Sequence, residues 1–236
     1  MKKENRKFVP EISTQLKSDT IILPSVIYNA SGIRFYGKRI KSLIFTTDIA
    51  IIMNNNADAV FAVYPFTPHP AIFSAITAIS QVPVFAGVGG GTTGGNRSAQ
   101  MGLFAESHGC IAVVVNAPTT LKTIKALRKT VDCPIVYTVV SERTDIQSRL
   151  DVGINILNVS GGEKTVELVK KIRKKYPDLP IIATGGPTDE SIQKTIDAGA
   201  NAITYTPPTN GDLFHEKMKK YRQTANEKYK KTSELS

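Results

Sequence analysis

Glu142 is the acid in this chain with the least structural explanation, which makes it the first candidate for chemistry. It lies between the apolar run Ile135 to Val140 and Thr144-Asp145-Ile146-Gln147, which reads as a capping box opening a helix. Asp48, Asp145, Asp189 and Glu190 fall in first turns of helices, where a carboxylate stabilises the helix end. Glu142 has no such duty, so it can face a substrate as general acid or base. His69 follows Tyr64-Pro65-Phe66-Thr67-Pro68, a proline-bounded loop stiff enough to hold an imidazole in place as a proton carrier, although the position also suits a helix cap. Asp48, beyond another apolar run, is a further catalytic candidate. A metal would need ligands from Asp48, His69, Glu142 and Asp145, and nothing in their spacing argues for one, so neither metal nor cofactor is expected. No lysine stands at a strand end, which counts against Schiff-base chemistry.

Anion recognition has three candidate places. The longest is Gly87-Val88-Gly89-Gly90-Gly91-Thr92-Thr93-Gly94-Gly95-Asn96-Arg97, in which small residues expose backbone N–H groups and Arg97 adds charge at a helix start. Its Gly89, Gly91 and Gly94 match the spacing of a dinucleotide loop. That motif requires an acid at the end of the following strand, where this chain has Asn116-Ala117-Pro118. The loop is therefore read as an anion cradle or a mobile lid. Ser160-Gly161-Gly162 and Thr184-Gly185-Gly186 each precede a helix in the same way, and Asn116 and Asn158 could orient a ligand. Arg143, beside Glu142, could bind a carboxylate or phosphate. Together these residues suit a small anionic metabolite, phosphorylated or carboxylated, handled by a hydrolase, isomerase or lyase.

The elements that must position them recur with a regular rhythm. Pro83, Pro134 and Pro180 each sit in an x-Pro-apolar step, and between them fall Ala57-Asp58-Ala59-Val60, Gly109-Cys110-Ile111-Ala112, Gly153-Ile154-Asn155-Ile156 and Gly199-Ala200-Asn201-Ala202. Strands are expected near residues 42, 59, 82, 110, 134, 155, 181 and 202, each followed by a helix-length segment. Eight strand–helix units close a (βα)8 barrel, an α/β fold whose chemistry gathers at the rim after the strands. Residues 40–236 form that barrel as a single domain, and residues 1–39 precede it as an extension packed on it. Within the extension, Ile21 to Ile27 reads as an extra strand or a plug across the bottom.

Composition narrows the class. At 236 residues the chain is close to the ~250 of such barrels. It has no apolar run of about 18 residues and no signal-like start, so a cytoplasmic protein without membrane attachment is expected. Cys110 and Cys133 read as structural thiols at strand starts. The net charge of +10 raises nucleic acid as a partner. Lysines concentrate in the N-terminal tail, in the helix from Glu163 to Tyr176 and in the C-terminal helix, without interleaved aromatics, so solvated outer helices are the preferred reading. A non-catalytic, ligand-responsive barrel with a basic RNA-binding surface is the alternative. Homo-oligomerisation is left open.

Two resemblances follow from these strings. In layout, residues 42–215 resemble the ribulose-phosphate-binding barrels, where loops after strands seven and eight cradle a phosphate and strand seven ends in a step like Thr184-Gly185-Gly186. Here strand eight instead ends in Tyr205-Thr206-Pro207-Pro208, whose prolines offer no N–H, and Asp189 and Glu190 load negative charge onto the receiving helix. The chain is also similar to a family of bacterial (βα)8-barrel proteins loosely labelled hydrolases. It shares with them Asn-Ala-Asp-Ala-Val at Asn56, Val-Tyr-Pro-Phe-Thr-Pro at Val63 and Phe-Ala-Gly-Val-Gly-Gly-Gly at Phe85. The shared strings continue with Val-Val-Asn-Ala-Pro-Thr at Val114, Thr-Val-Val-Ser-Glu at Thr138, Asn-Val-Ser-Gly-Gly at Asn158 and Ala-Thr-Gly-Gly-Pro-Thr at Ala183. That likeness implies a shared rim and no particular reaction.

Overall fold

The computed structural model describes residues 19–234 and positions 8, 10, 12 and 14–16. A hairpin of β1 (Ile33–Phe35) and β2 (Lys38–Ile40) precedes eight parallel strands. These are β3 (Ser42–Phe45), β4 (Ala59–Ala62), β5 (Val84–Gly89), β6 (Ala112–Val115), β7 (Ile135–Val139), β8 (Ile156–Val159), β9 (Ile181–Thr184) and β10 (Ala202–Tyr205). They close in sequence order, with β10 pairing β3, which is the expected (βα)8 barrel. The helices are α1 (Ile49–Met53), α2 (Pro70–Ile79), α3 (Gly95–Ser107), α4 (Leu121–Arg128), α5 (Ile146–Asp151), α6 (Thr165–Lys175), α7 (Asp189–Asp197) and α8 (Asn210–Glu234).

The two recurrent sequence devices have distinct physical jobs. Proline has no N–H to give a ladder, yet its carbonyl still accepts. Pro83, Pro134 and Pro180 each accept from the neighbouring strand, from Val60, Val113 and Leu157 at 2.9, 3.0 and 3.0 Å. Regular pairing therefore starts one residue later than each proline. In the alternate units an Asx side chain latches the first N–H of the adjacent strand. Asn155 Oδ1 accepts from Ile135 N and Asn201 Oδ1 from Ile181 N, both at 2.9 Å, and Asp58 Oδ2 accepts from Ser42 N at 3.1 Å and from the preceding Lys41 N at 2.8 Å. The Cys110 unit lacks an Asx, and Glu106 on α3 substitutes by accepting from Asp132 N and Cys133 N at 2.7 and 2.6 Å. Burial alone would raise the Glu106 pKa, but these backbone donors outweigh it and hold the carboxyl below its ordinary value.

Strand alternation splits the core into two layers. Ile44, Val60, Val113, Ile135, Leu157 and Ile203 face the helices. Leu43, Phe61, Phe85, Val114, Val136 and Ile182 fill the barrel. Four phenylalanines run through that interior. Phe35 from the hairpin meets Phe85 edge-on at 5.2 Å, Phe85 stacks on Phe61 at 6.1 Å, and Phe61 lies 6.2 Å from Phe45 near the opposite end. Phe35 and Ile40 of the hairpin thus close the N-terminal end of the barrel. Its turn at Tyr36-Gly37 has positive φ at both residues, the geometry of a tight two-residue hairpin.

The extension differs from the expectation for Ile21 to Ile27, since the plug is the hairpin. Leu23 and Ile27 are buried in the outer layer with Ile44 and Ile203, and a 3-10 turn, Ser25–Asn29, packs beside α7. This segment occupies a place in the outer ring that an eighth barrel helix would fill. α8 runs to Glu234 with its described side chains almost all exposed, in keeping with the solvated lysine-rich helix read from the sequence. Lys217 on α8 pairs with Asp19 at 2.8 Å.

Candidate functional site

The residues that follow the strands form a mouth with two unlike arcs. On one side, the register pairs Thr138 of β7 with Asn158 of β8, both turned inward, and Asn158 Nδ2 donates to Thr138 Oγ1 at 3.2 Å. Asn158 is only 6% exposed, and its Oδ1 has no partner. Either orientation of the carboxamide leaves one atom unpaired, because a hydroxyl can accept or donate. Thr184 of β9 donates to Ser160 Oγ at 3.3 Å, and Thr204 of β10 to the Ala183 carbonyl at 3.4 Å. This arc is polar and uncharged. Across from it, β3 and β4 present Phe45 and Val63, which are apolar.

A cavity of about 120 Å³ opens at the apolar side, between the Tyr64–Pro68 loop and the glycine turn. Val63, Tyr64, Pro65, Phe66 and Pro68 make one wall, and Gly87, Gly89, Gly90, Gly91, Thr92 and Asn116 the other. Two of these glycines are required by close approach. A Cβ on Gly89 would lie 2.7 Å from Ser98 Oγ, and one on Gly90 would lie 3.1 Å from the Asn116 Cβ. The register of β5 against β6 shifts between Gly87 and Gly89, a bulge that bends the strand end into the turn. Thr93, Ser98 and Thr119 carry buried hydroxyls without partners around this turn; the N-cap residue of α3 is Gly94, and Thr123 Oγ1 from α4 accepts from Gly95 N at 2.8 Å. Tyr64 braces the opposite loop: its hydroxyl accepts from His69 N at 2.9 Å, and burial pushes the phenol pKa up.

The structure gathers some of the expected residues and separates others. Gly89, Gly90, Gly91 and Asn116 surround the cavity, while Asn158 and Ser160 stand in the polar arc. Glu142 turns toward α6, where it pairs with Lys171; the hydrogen bond and charge of that lysine hold its carboxyl below the ordinary range. It borders a separate recess of about 240 Å³ floored by Val139, Leu168 and Ile172. Asp48 caps α1, accepting from Ala50 N and Ile51 N at 2.8 and 3.2 Å, and His69 caps α2 through Nδ1, which accepts from Ala71 N at 3.2 Å. The strands before Asp48 and Glu142, β3 and β7, stand on opposite sides of the ring, so the three proton-transfer candidates do not form one cluster. Arg97 and Arg143 are exposed. The cap of α5 is Asp145, which accepts from Ser148 N at 3.2 Å, in place of the Thr144 box.

The remaining glycine pairs have packing duties. A Cβ on Gly161 would lie 2.4 Å from Leu168 Cδ1, and one on Gly185 would lie 2.8 Å from both Ile192 and Ile203. Gly162 and Gly186 have positive φ. Thr138 and Thr204 carry no motif in the sequence, and Thr184 stands out there only as the start of a glycine step. The available signal was threonine on the inward register of otherwise aliphatic strands. Among the described residues, no three His, Cys, Asp or Glu side chains converge as a metal site. No helix among them is long and apolar enough to cross a membrane. A surface depression of about 760 Å³ is a groove between α3 and α4 that includes Lys122, Lys125 and Lys129. It lies outside the ring of strand ends at which this fold builds its sites.

No family model and no curated protein matches the chain. Solved structures do match it in fold. A phosphoenolpyruvate phosphomutase from Streptomyces platensis is 13% identical with a TM-score of 0.57, covering 86% of this chain and 85% of that one. A 2,3-dimethylmalate lyase of the PEP mutase/isocitrate lyase superfamily is 14% identical with a TM-score of 0.59, covering 84% and 85%. A phosphonopyruvate hydrolase, solved with oxalate and magnesium, is 12% identical with a TM-score of 0.57, covering 78% and 80%. At these identities the likeness establishes the barrel fold.

Proposed function

We propose that this chain is an enzyme acting on a small anionic metabolite, phosphorylated or carboxylated, at the C-terminal mouth of the barrel, by hydrolase, isomerase or lyase chemistry. The observation that carries the reading is the cavity between the Tyr64–Pro68 loop and the Gly89–Thr92 turn, which places a glycine backbone and Asn116 at the rim. The Asn116 carboxamide and the backbone N–H groups of the turn other than that of Gly90, which donates to the Thr93 carbonyl at 3.0 Å, hold the anion. Asn158, with its unpaired buried amide atom, offers a second polar contact within the mouth. The net charge of +10 raises the local concentration of anions. The named substrates of the fold neighbours, phosphonopyruvate, phosphoenolpyruvate and dimethylmalate, are small anions, which supports the same class here.

Proton transfer is assigned to Glu142, which must first leave Lys171 and the recess beside α6 and turn into the barrel mouth. Both side chains of that pair are more than half exposed, so the pair is weak and opens readily. Thermal denaturation against a panel of phosphorylated and carboxylated metabolites tests the reading. A ligand at ~100 times its dissociation constant adds about 2.7 kcal/mol to stability. Stabilising compounds are then assayed for turnover. A panel without any stabilising anion would remove the proposed substrate class.

A further inference from the structure

The walls of the rim cavity differ in chemistry, and the difference says what kind of molecule fits between them. One wall is backbone amide and carboxamide: Gly89, Gly90, Gly91 and Asn116. The other is Val63, Tyr64, Pro65, Phe66 and Pro68, whose one hydrogen-bonding side chain, the Tyr64 hydroxyl, already accepts from His69 N at 2.9 Å. Phe66 is 73% exposed, an aromatic ring presented to solvent by a loop that prolines keep from collapsing. On the adjacent strand Phe45 is 37% exposed and stands at the open end of the ring series Phe35, Phe85, Phe61, Phe45. Both arcs of aromatic surface at the mouth therefore lack a cover, while a wholly polar anion such as inorganic phosphate would cover neither. A dry apolar cavity on the order of 150 Å³ accepts one benzene ring. The rim cavity, at about 120 Å³ and open to solvent, has room for a group of about that size.

Resting on the reading of this cavity as an anion site, we propose that its ligand is a carboxylate whose other end is a planar apolar group, an aryl or conjugated acid. The carboxylate lies on the glycine turn and Asn116. The planar group lies against Val63, Pro65 and Phe66, where aromatic surfaces pair offset or edge to face.

Dissociation constants of acetate, inorganic phosphate and benzoate, measured by NMR titration on the full chain and on Phe66→Ala, test this. Benzoate is expected to bind the native chain at least tenfold more tightly than acetate, and Phe66→Ala to remove most of that advantage while leaving acetate unchanged. Because Phe66 is exposed, its truncation leaves the fold intact, which a thermal melt verifies. Acetate and benzoate binding equally, or benzoate binding unchanged in Phe66→Ala, would overturn the aryl-acid proposal and leave the anion site standing. Absence of binding by all three anions would overturn both.

Discussion

Asn158 reaches across from β8 to donate to Thr138 on β7, and the other end of its carboxamide is buried without a partner. An unpaired buried polar atom costs a folded protein about 1–3 kcal/mol. A site that receives a hydrogen-bonding ligand recovers that cost on binding. Asn158→Leu, which keeps the volume and removes the amide, is expected to leave the free protein as stable as before or up to about 1 kcal/mol more stable in urea titration. The same variant is expected to lose part of the stabilisation conferred by an anion that spans the mouth from the glycine turn to β8. Undiminished ligand stabilisation would mean that Asn158 faces no ligand.

The hairpin is expected to be integral to the barrel. Phe35 is buried and edge-on to Phe85, so Phe35→Ala removes a ring from the interior and leaves a void. Truncation of a buried phenylalanine costs about 3–5 kcal/mol. Chemical denaturation should show a single transition shifted by that amount. A shift under 1 kcal/mol would show that the hairpin does not close the barrel.

The two cysteines give a pH dependence with a fixed sign. Burial pushes both the Cys110 and Cys133 thiols up to about 12, with the Glu106 carboxylate adding to the effect at Cys133. In the unfolded chain a thiol titrates near 8.5. The native state therefore keeps protons that the unfolded state releases as pH rises between those values. Their stabilisation is complete below about pH 8.5 and declines toward pH 12. The Cys110→Ala, Cys133→Ala double variant should lose less stability than the native chain between pH 8 and 10. Both native thiols should also resist iodoacetamide at pH 8 until the protein unfolds; rapid alkylation of the folded protein would contradict the burial.

Glu142→Gln separates binding from chemistry. Its partner Lys171 is exposed, so folding should be unaffected. Anion affinity should also be retained, since the cavity is built by other residues. Turnover of an identified substrate should fall by about 10² or more, the usual scale for a general acid or base. Full activity in this variant would remove Glu142 from the mechanism.

What could be read from sequence was whatever repeats. The three proline steps and the three Asx steps recur because each meets the same need, an acceptor for the neighbouring strand where a stave begins, and with the Cys110 unit and the opening run at Ser42 they declared the barrel. Expected starts at Val82, Cys110 and Pro134 came one or two residues early, since Pro83 and Pro134 accept from the adjacent strand but cannot donate. The glycine turn and Asn116 were legible for a similar reason: they stand directly at strand ends, where the direction of the chain fixes them at the rim. Glu142 was not, because a loop side chain chooses among partners by tertiary proximity, and Lys171 lies 29 positions away. The exchange of Leu23 and Ile27 for a packed eighth helix was equally hidden, since an amphipathic pattern does not say which apolar segment occupies a given place in the ring.

A crystal structure of the chain with the most stabilising anion bound tests the central claim most directly. The account predicts ligand density between Phe66 and Gly90, with the acidic group within hydrogen-bond distance of the Gly89–Gly91 backbone or the Asn116 carboxamide. Density instead in the lysine-lined groove between α3 and α4, with the rim cavity empty, would contradict it.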